Sequence, residues 1–284
     1  MIHSLTDNIF YSMPVAATDR PLLGFIAGSE ASLMVDAGIS PAHAREFLAA
    51  IARYEAAPLK YQFLTHWHWD HVFAIPTVGA ECIANTLTAE KLQEMRGYSW
   101  DEAGIEELVN SGFLPRFGAD CLKAEMPTEQ ERVIGRVDRV FTEPIELDLG
   151  DVTARIEHLG GTHTGDSSVL YVPERKVLFA GDCIYGRRFN GSYGYRLDEL
   201  TRMTAQLRSY DADHYLISHE PPYTREALFS FLDRLIEIGR IVAEEPDSAL
   251  AEQEFKARNN RAPSEEDKEI ITMFTGPNVG PPVS

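Results

Sequence analysis

The sequence predicts an α/β fold, and three observations carry that expectation. Strand-like and helix-like segments alternate through most of the 284 residues. Short apolar runs recur, each closed by small or turn-forming residues, and none approaches the ~20 residues of a membrane span. The composition, 44% hydrophobic and 25% charged, is that of an ordinary globular chain able to bury one large core.

In chain order, Leu33-Met34-Val35 reads as a strand running into the turn Asp36-Ala37-Gly38. Ser40 then has the chemistry of an N-cap, with Pro41 at the first helical position, where its missing N–H costs nothing. Ala44, Phe47, Leu48 and Ile51 follow with helical spacing. Tyr61-Gln62-Phe63-Leu64 is the next strand and delivers the chain to His66. That strand–helix–strand order is the signature of a sheet covered by helices.

Residues 86–135 break the rhythm, with Gly104, Gly112, Pro115, Gly118 and Pro127 punctuating a helix-forming stretch. They read as a helical insertion. Strands resume at 139–141 and within 145–159, the latter turning at 149–151. A hairpin is expected from 168–172 and 176–180 around Pro173-Glu174-Arg175. A helix near 197–208, a strand at 215–217 and a helix from Thr224 complete the pattern, the last with Leu228, Phe231, Leu232 and Leu235 on one face. The expected organisation is one domain over 1–240 and a helical or loose C-terminal extension over 241–284, ending in a Gly/Pro-containing tail. No internal repeat is evident.

The charge balance is acidic, 26 Lys+Arg against 44 Asp+Glu, a formal net charge of −18. Such a surface repels phosphate backbones and anionic lipid, so neither nucleic acid nor a membrane is the expected partner. Arg132, Arg136 and Arg139 are interleaved with acids and read as a solvated face. Cys82, Cys121 and Cys183 are odd in number and lack CxxC spacing, which suits a reducing compartment. Met1 to Asn8 carry neither a basic nor an apolar region of a secretory signal, so a cytoplasmic location is expected.

The stretch that carries chemistry is Thr65-His66-Trp67-His68-Trp69-Asp70-His71. An H-x-H-x-D-H arises by chance only roughly 5 × 10⁻⁴ times in a chain of this composition. His66 and His68, two apart in extended backbone, project to the same side and can chelate one ion. Asp70 and His71 follow where the chain turns and can face a neighbouring ion. Imidazole with carboxylate suits Zn²⁺, Fe or Mn, and the absence of a Cys ligand argues against a structural zinc site. Three further metal-competent side chains sit where apolar strands end: His163, Asp182 and His219. Strand ends are where an α/β scaffold mounts its site.

Asp36 after the first strands and these elements, in this order, resemble the metallo-β-lactamase superfamily over roughly residues 22–240. The resemblance implies a four-layer αββα sandwich. It also implies that His66, His68 and His163 hold one divalent ion, that Asp70, His71 and His219 hold a second, and that Asp182 bridges the two. Zn²⁺ is the favoured ion. Departures concern substrate rather than fold: Val72-Phe73-Ala74 stand where a Gly-Gly is usual, and the segment around His163 lacks two prolines. Asp at position 182 with the intact first motif is closer to the glyoxalase II, lactonase and phosphodiesterase branches than to strict zinc β-lactamases.

The implied function is a dinuclear hydrolase in which a metal-bridged hydroxide attacks an ester, thioester, lactone or amide of a small molecule. Asp70 is given a second, catalytic role, orienting the nucleophile or passing a proton to the leaving group. The alternatives are a phosphodiesterase or nuclease with the same ligands, a mononuclear iron dioxygenase using His66, His163 and Asp182, and a degenerate binding module. Two divalent ions would leave the pocket locally electropositive inside a negative protein.

Weaker signals surround this core. Arg187, Arg188, Tyr193 and Tyr195, among glycines after Asp182, read either as a substrate-binding loop or as a solvated one. Cys183 reads as a buried thiol, His158 and His214 as packing residues, and His3 and His43 as surface. Trp67 and Trp69 either line the pocket mouth or pack beneath the loop. Glu220 orients an imidazole or belongs to plain loop. The insertion offers a surface through which a homodimer could form.

Overall fold

The computed structural model describes residues 1–189 and 192–275. Its first sheet comprises β1 (Ile2–Ser4), β2 (Ile9–Ser12), β3 (Gly24–Ala27), β4 (Ser32–Val35), β5 (Leu59–Phe63), β6 (Glu81–Asn85) and β7 (Arg139–Phe141), in that spatial order. Strands β1 to β4 form an antiparallel meander, and β4 to β7 run parallel. The parallel half needs crossovers, which α1 (Pro41–Ile51), the short α2 (Trp69–Val72) and α3 (Ile75–Val78), and the helices after β6 provide.

The second sheet contains β8 (Ile145–Asp148), β9 (Thr153–His158), β10 (Ser168–Val172) and β11 (Val177–Gly181). After a separate hairpin of β12 (Arg187–Phe189) and β13 (Ser192–Gly194), it is completed by β14 (His214–Ile217) and β15 (Tyr223–Thr224). The spatial order is β15-β14-β11-β10-β9-β8, with only β11 and β14 parallel.

Period-two burial explains why the sheets face each other. Ile26, Leu33, Val35 and Phe63 from the first sheet share a core with Leu170, Val172, Val177 and Phe179 from the second. The residues between them point outward into two further cores. Phe25, Met34 and Leu64 meet α1 and the insertion helices, while Val169, Tyr171, Leu178 and Ala180 meet the later helices. Four layers result, αββα. A Cβ at Gly24 would lie 2.3 Å from the Phe179 ring, so the sheets close on a position that only glycine fills.

Helix α1 begins as expected: Ser40 Oγ accepts from the His43 N–H, Pro41 is the first helical residue, and Ala44, Phe47 and Ile51 are buried. His43, expected at the surface, is instead buried against Gly38, because the capped first turn tucks under the first sheet. His158, expected to pack, is exposed, although its Nε2 lies 2.7 Å from the Gly165 carbonyl.

The stretch 86–135 folds as α4 (Thr86–Met95), α5 (Glu102–Asn110) and α6 (Arg116–Glu125). Leu92, Met95, Ile105 and Leu122 are fully buried. Arg132 is not on a solvated face: it is buried and donates to the carbonyls of Met126 and Trp100, stapling the return of the insertion. Helix α7 (Leu197–Ser209) and the long α8 (Arg225–Glu244), capped by Thr224, cover the second sheet.

Beyond position 241 the chain forms α9 (Ser248–Asn259) and α10 (Glu265–Thr275), docked through Phe255, Ile270, Ile271 and Phe274. Asp267, fully buried, anchors α10 through Arg234 and Arg261. The expected loose tail lies outside the described residues. Among the described residues no helix is long and apolar enough to cross a membrane, and all three cysteines are free and buried.

Candidate metal centre

Each predicted ligand stands at the end of a strand. Buried Phe63 and Leu64 lead to Thr65, whose N–H and hydroxyl both donate to Asp36 (2.8 and 3.0 Å). His66 follows, and His68 then starts α2, which carries Asp70 and His71 on one turn. Gly160 and Gly161, both with positive φ, shape the loop to His163. Gly181 ends β11 in the left-handed region (φ +56°), and a Cβ there would lie 2.6 Å from Thr65 Oγ1. The Asp182 and His66 loops are therefore pressed together. Strand β14 delivers His219.

All seven predicted side chains converge. His66, His68, His163 and Asp182 form one group, and Asp70, His71, Asp182 and His219 form another, with ligand atoms within 4.8 Å of one another in each. In the first, His163 Nε2 is 2.8 Å from His68 Nδ1. Asp182 Oδ2 lies 3.4 Å from His163 Nε2 and 3.8 Å from His66 Nε2. In the second, Asp70 Oδ2 lies 3.0 Å from His71 Nε2 and 3.1 Å from His219 Nε2. Asp182 reaches both of those rings, His71 through Oδ1 at 3.6 Å and His219 through Oδ2 at 3.4 Å. It is the one residue common to the two groups.

The donor set fits divalent ions. Among the described residues, His66 Nε2, His71 Nε2 and Asp182 Oδ1 are buried with no well-aligned hydrogen bond outside the cluster itself, which is costly unless something else satisfies them. The electrostatics divide the groups. Burial holds His66 and His163 below the ordinary imidazole range and takes His68 down to about 3, so all three are neutral donors. Burial also opposes charge on His71 and His219, yet the carboxylates prevail. Asp70, Asp36 and Asp182 raise His71, and Asp182 and Asp70 push His219 up to about 11. In return, Asp182 is held well below the carboxylate range despite its burial.

Sequence reasoning missed two contributors and gave a third no role. Asp36, noted only for its place after the first strands, binds His71 Nδ1 at 2.9 Å from a left-handed backbone (φ +59°). Asp19 sets its carboxylate 3.7 Å from His219 Nδ1. Burial first and Asp70 second push that carboxyl up to about 7. The Tyr185 ring stands 6.1 Å from both His163 and His219, its hydroxyl buried. It lies inside an apolar run, Cys183-Ile184-Tyr185, and so carried no polar signal; its position three residues after Asp182 was the available clue.

The four substrate-loop residues separate. Arg187 is paired with Glu199 at 2.6 Å, and the buried Tyr195 donates its hydroxyl to the Ile184 carbonyl, so both are engaged within the fold. Arg188 donates to the Gly112 carbonyl and lies opposite Tyr193 across the β12–β13 hairpin. Tyr193 is half-exposed, and burial, opposed by Arg188 and aided by Asp19, Asp70 and Asp182, holds its hydroxyl above the ordinary tyrosine range. Trp67 stays half-buried beside His68 and stacks on Phe113 of the insertion, whereas Trp69 packs beneath, against Gly118. Glu220 makes no hydrogen bond to the His219 ring among the described residues.

The hairpin is held on two sides. At its base the Tyr195 N–H donates to the Met273 carbonyl of α10, and the Tyr195 and Phe274 rings stack at 5.5 Å. Toward its tip, Arg188 reaches the insertion.

Comparison with known proteins agrees with this geometry. The family model described as metallo-beta-lactamase superfamily matches residues 22–219. Among solved structures, a metallo-beta-lactamase from Pontibacter korlensis is similar at 20% identity and TM-score 0.58, covering 82% of this chain and 97% of that one. The DIM-1 metallo-beta-lactamase is similar at 18% identity and TM-score 0.55, covering 82% and 95%. A double mutant of the sec-alkyl sulfatase PisA1 matches 96% of this chain at 12% identity and TM-score 0.63, and this chain spans about half of that protein (49%). The chain belongs to the metallo-beta-lactamase superfamily. Its members are mostly metal-dependent hydrolases, and the two His/Asp groups fit that chemistry with a divalent ion.

Proposed function

We propose that the protein is a dinuclear metal-dependent hydrolase of a small ester, thioester, lactone or amide, with Zn²⁺ the favoured ion over Fe or Mn. The observation that carries this reading is Asp182, whose two oxygens face both groups of donors. Bound divalent ions would supply Lewis acidity and water activated near neutral pH. His66, His68 and His163 would hold one ion; Asp70, His71 and His219 the other. Asp70, between the His71 and His219 rings, is also placed to take up a proton and pass it toward a leaving group. The Tyr185 hydroxyl, buried beside His163 and His219, would donate to the substrate oxygen that gains charge. Arg188 and Tyr193 would contact the rest of the substrate, with Trp67 and Phe113 as an apolar wall.

The net charge of −18 supports a small substrate over a polynucleotide. The four donors of the second group support two ions over the single iron of a dioxygenase. Buried free thiols are consistent with a cytoplasmic location, and the insertion remains our candidate face for a homodimer.

Metal analysis together with a panel of lactone, thioester, β-lactam, phosphodiester and sulfate ester substrates tests the reading. Two equivalents of Zn²⁺ and turnover of an acyl substrate are expected. His66→Ala and Asp182→Ala should each lower turnover by at least ~10³-fold and empty one or both ion positions. Undiminished hydrolysis by Asp182→Ala would defeat the proposal.

A further inference from the structure

The segment before the family match brings a carboxylate to the centre. Asp19 closes the turn Ala16–Thr18, and its own backbone is left-handed (φ +53°). His219 turns Nε2 toward Asp70 and Asp182 and leaves Nδ1 facing Asp19 Oδ1 at 3.7 Å. His71 is built on the same plan: Nε2 toward Asp70 and Asp182, Nδ1 against Asp36, itself left-handed. Both imidazoles of the second group thus stand between the ligand cluster and an outer aspartate on a backbone conformation few L-residues adopt.

The conformation at Asp19 is fixed from outside the centre. The next residue, Arg20, grips Glu125 of α6 through Nε and Nη2 at 2.7 and 2.9 Å and reaches Glu46 of α1 with Nη1 at 2.7 Å. The backbones of Val15 and Arg20 pair across the turn. Asp19 is therefore carried by a braced loop. A non-glycine residue held left-handed beside a ligand cluster marks a place where the fold spends stability on position.

We propose that Asp19 is a positioning residue for His219: its carboxylate, 3.7 Å from Nδ1 and so a charge partner, favours the Nδ1–H tautomer that aims the Nε2 lone pair at the second ion, the role that Asp36 fills for His71 through a 2.9 Å hydrogen bond. The inference rests on the dinuclear reading and adds to it a residue outside the superfamily match.

The test uses Asp19→Asn in the full chain. Asparagine keeps the shape and tolerates the left-handed backbone, so the loop should persist while the charge is lost. Zn²⁺ is titrated into metal-free protein against a chromophoric chelator, and imidazole N–H resonances are recorded by NMR on the zinc-loaded form. The expected result is an unchanged first equivalent, a second weakened about tenfold, and a shifted Nδ1–H resonance for His219 but not for His71. Asp36→Asn should move the His71 signal instead. Two equivalents bound with unaltered affinity and an unmoved His219 signal would overturn the role of Asp19 alone. A wild-type protein that takes up a single equivalent would overturn the dinuclear reading and this inference together.

Discussion

The five histidines of the centre differ in charge although they share it. His66, His68 and His163 are neutral through burial, while His71 and His219 are kept protonated by the carboxylates beside them. An ion entering the first group therefore displaces few protons, and one entering the second must expel those on His71 and His219. Because Asp182 and Asp70 push His219 up to about 11 against its burial, its proton is still bound at neutral pH before an ion arrives. The affinity of the second position should accordingly rise with pH, by up to about tenfold per unit for each proton displaced. Indicator-monitored titration at pH 7 should show about two protons released with the second equivalent of Zn²⁺ and close to none with the first; equal release at both steps would contradict this division. At this scale the seven predicted ligands were readable because four form one H-x-H-x-D-H after β5 and the other three each follow the end of an apolar strand. Asp19 and Tyr185 were not, since one lies in an irregular turn and the other in an apolar run. The carboxylate–imidazole pairing that defines Asp19 exists only after the chain folds.

At the scale of elements, the junction of β11 with the Asp182 loop is the most constrained. Gly181→Ala would impose about 1–2 kcal/mol of left-handed strain and drive a methyl into Thr65. The variant should lose both thermal stability and metal content, measured by melting and by metal analysis. Retention of two ions at wild-type melting temperature would show the junction to be slack. Phe274→Ala tests the far support of the hairpin. Removal of this buried ring should cost about 3–5 kcal/mol and expose residues 187–194 to limited proteolysis earlier than the rest of the chain. The core strands and α1 were legible through period-two and helical spacing and through the Ser40-Pro41 cap. The C-terminal helices were faint because α9 buries only Ala251 and Phe255 on an otherwise polar surface, too sparse a pattern to separate from loop. Their order comes from docking onto α8 and from the Asp267 ion pairs, which are tertiary.

For the whole molecule, four layers follow from two sheets that each bury both faces, and the near-continuous apolar runs of β4, β10 and β11, buried at every position, already imply this. What such runs cannot specify is which sheet faces which, since that depends on contacts such as Phe179 over Gly24. The net charge of −18 is a property of the entire surface and acts before any contact is made. For an anionic acyl substrate, added salt should screen the repulsion and raise kcat/KM by about two- to threefold between low and physiological ionic strength. A neutral analogue should show no such rise. A fall for the anionic substrate would mean that the local field around Arg188 governs encounter instead.

The β12–β13 hairpin gives the molecule a division of labour. Its base rests on α10, beyond the superfamily match, and its Arg188 reaches Gly112 of the insertion, while the predicted ligands stand at or just beyond the ends of strands in the two sheets. On the proposed reading, substitutions in α10 and around Gly112 would move the hairpin that carries Arg188 and Tyr193 while the strand ends that carry the His and Asp groups keep their own sheet supports. Such a chain would vary the part that meets a substrate apart from the part that holds the ions.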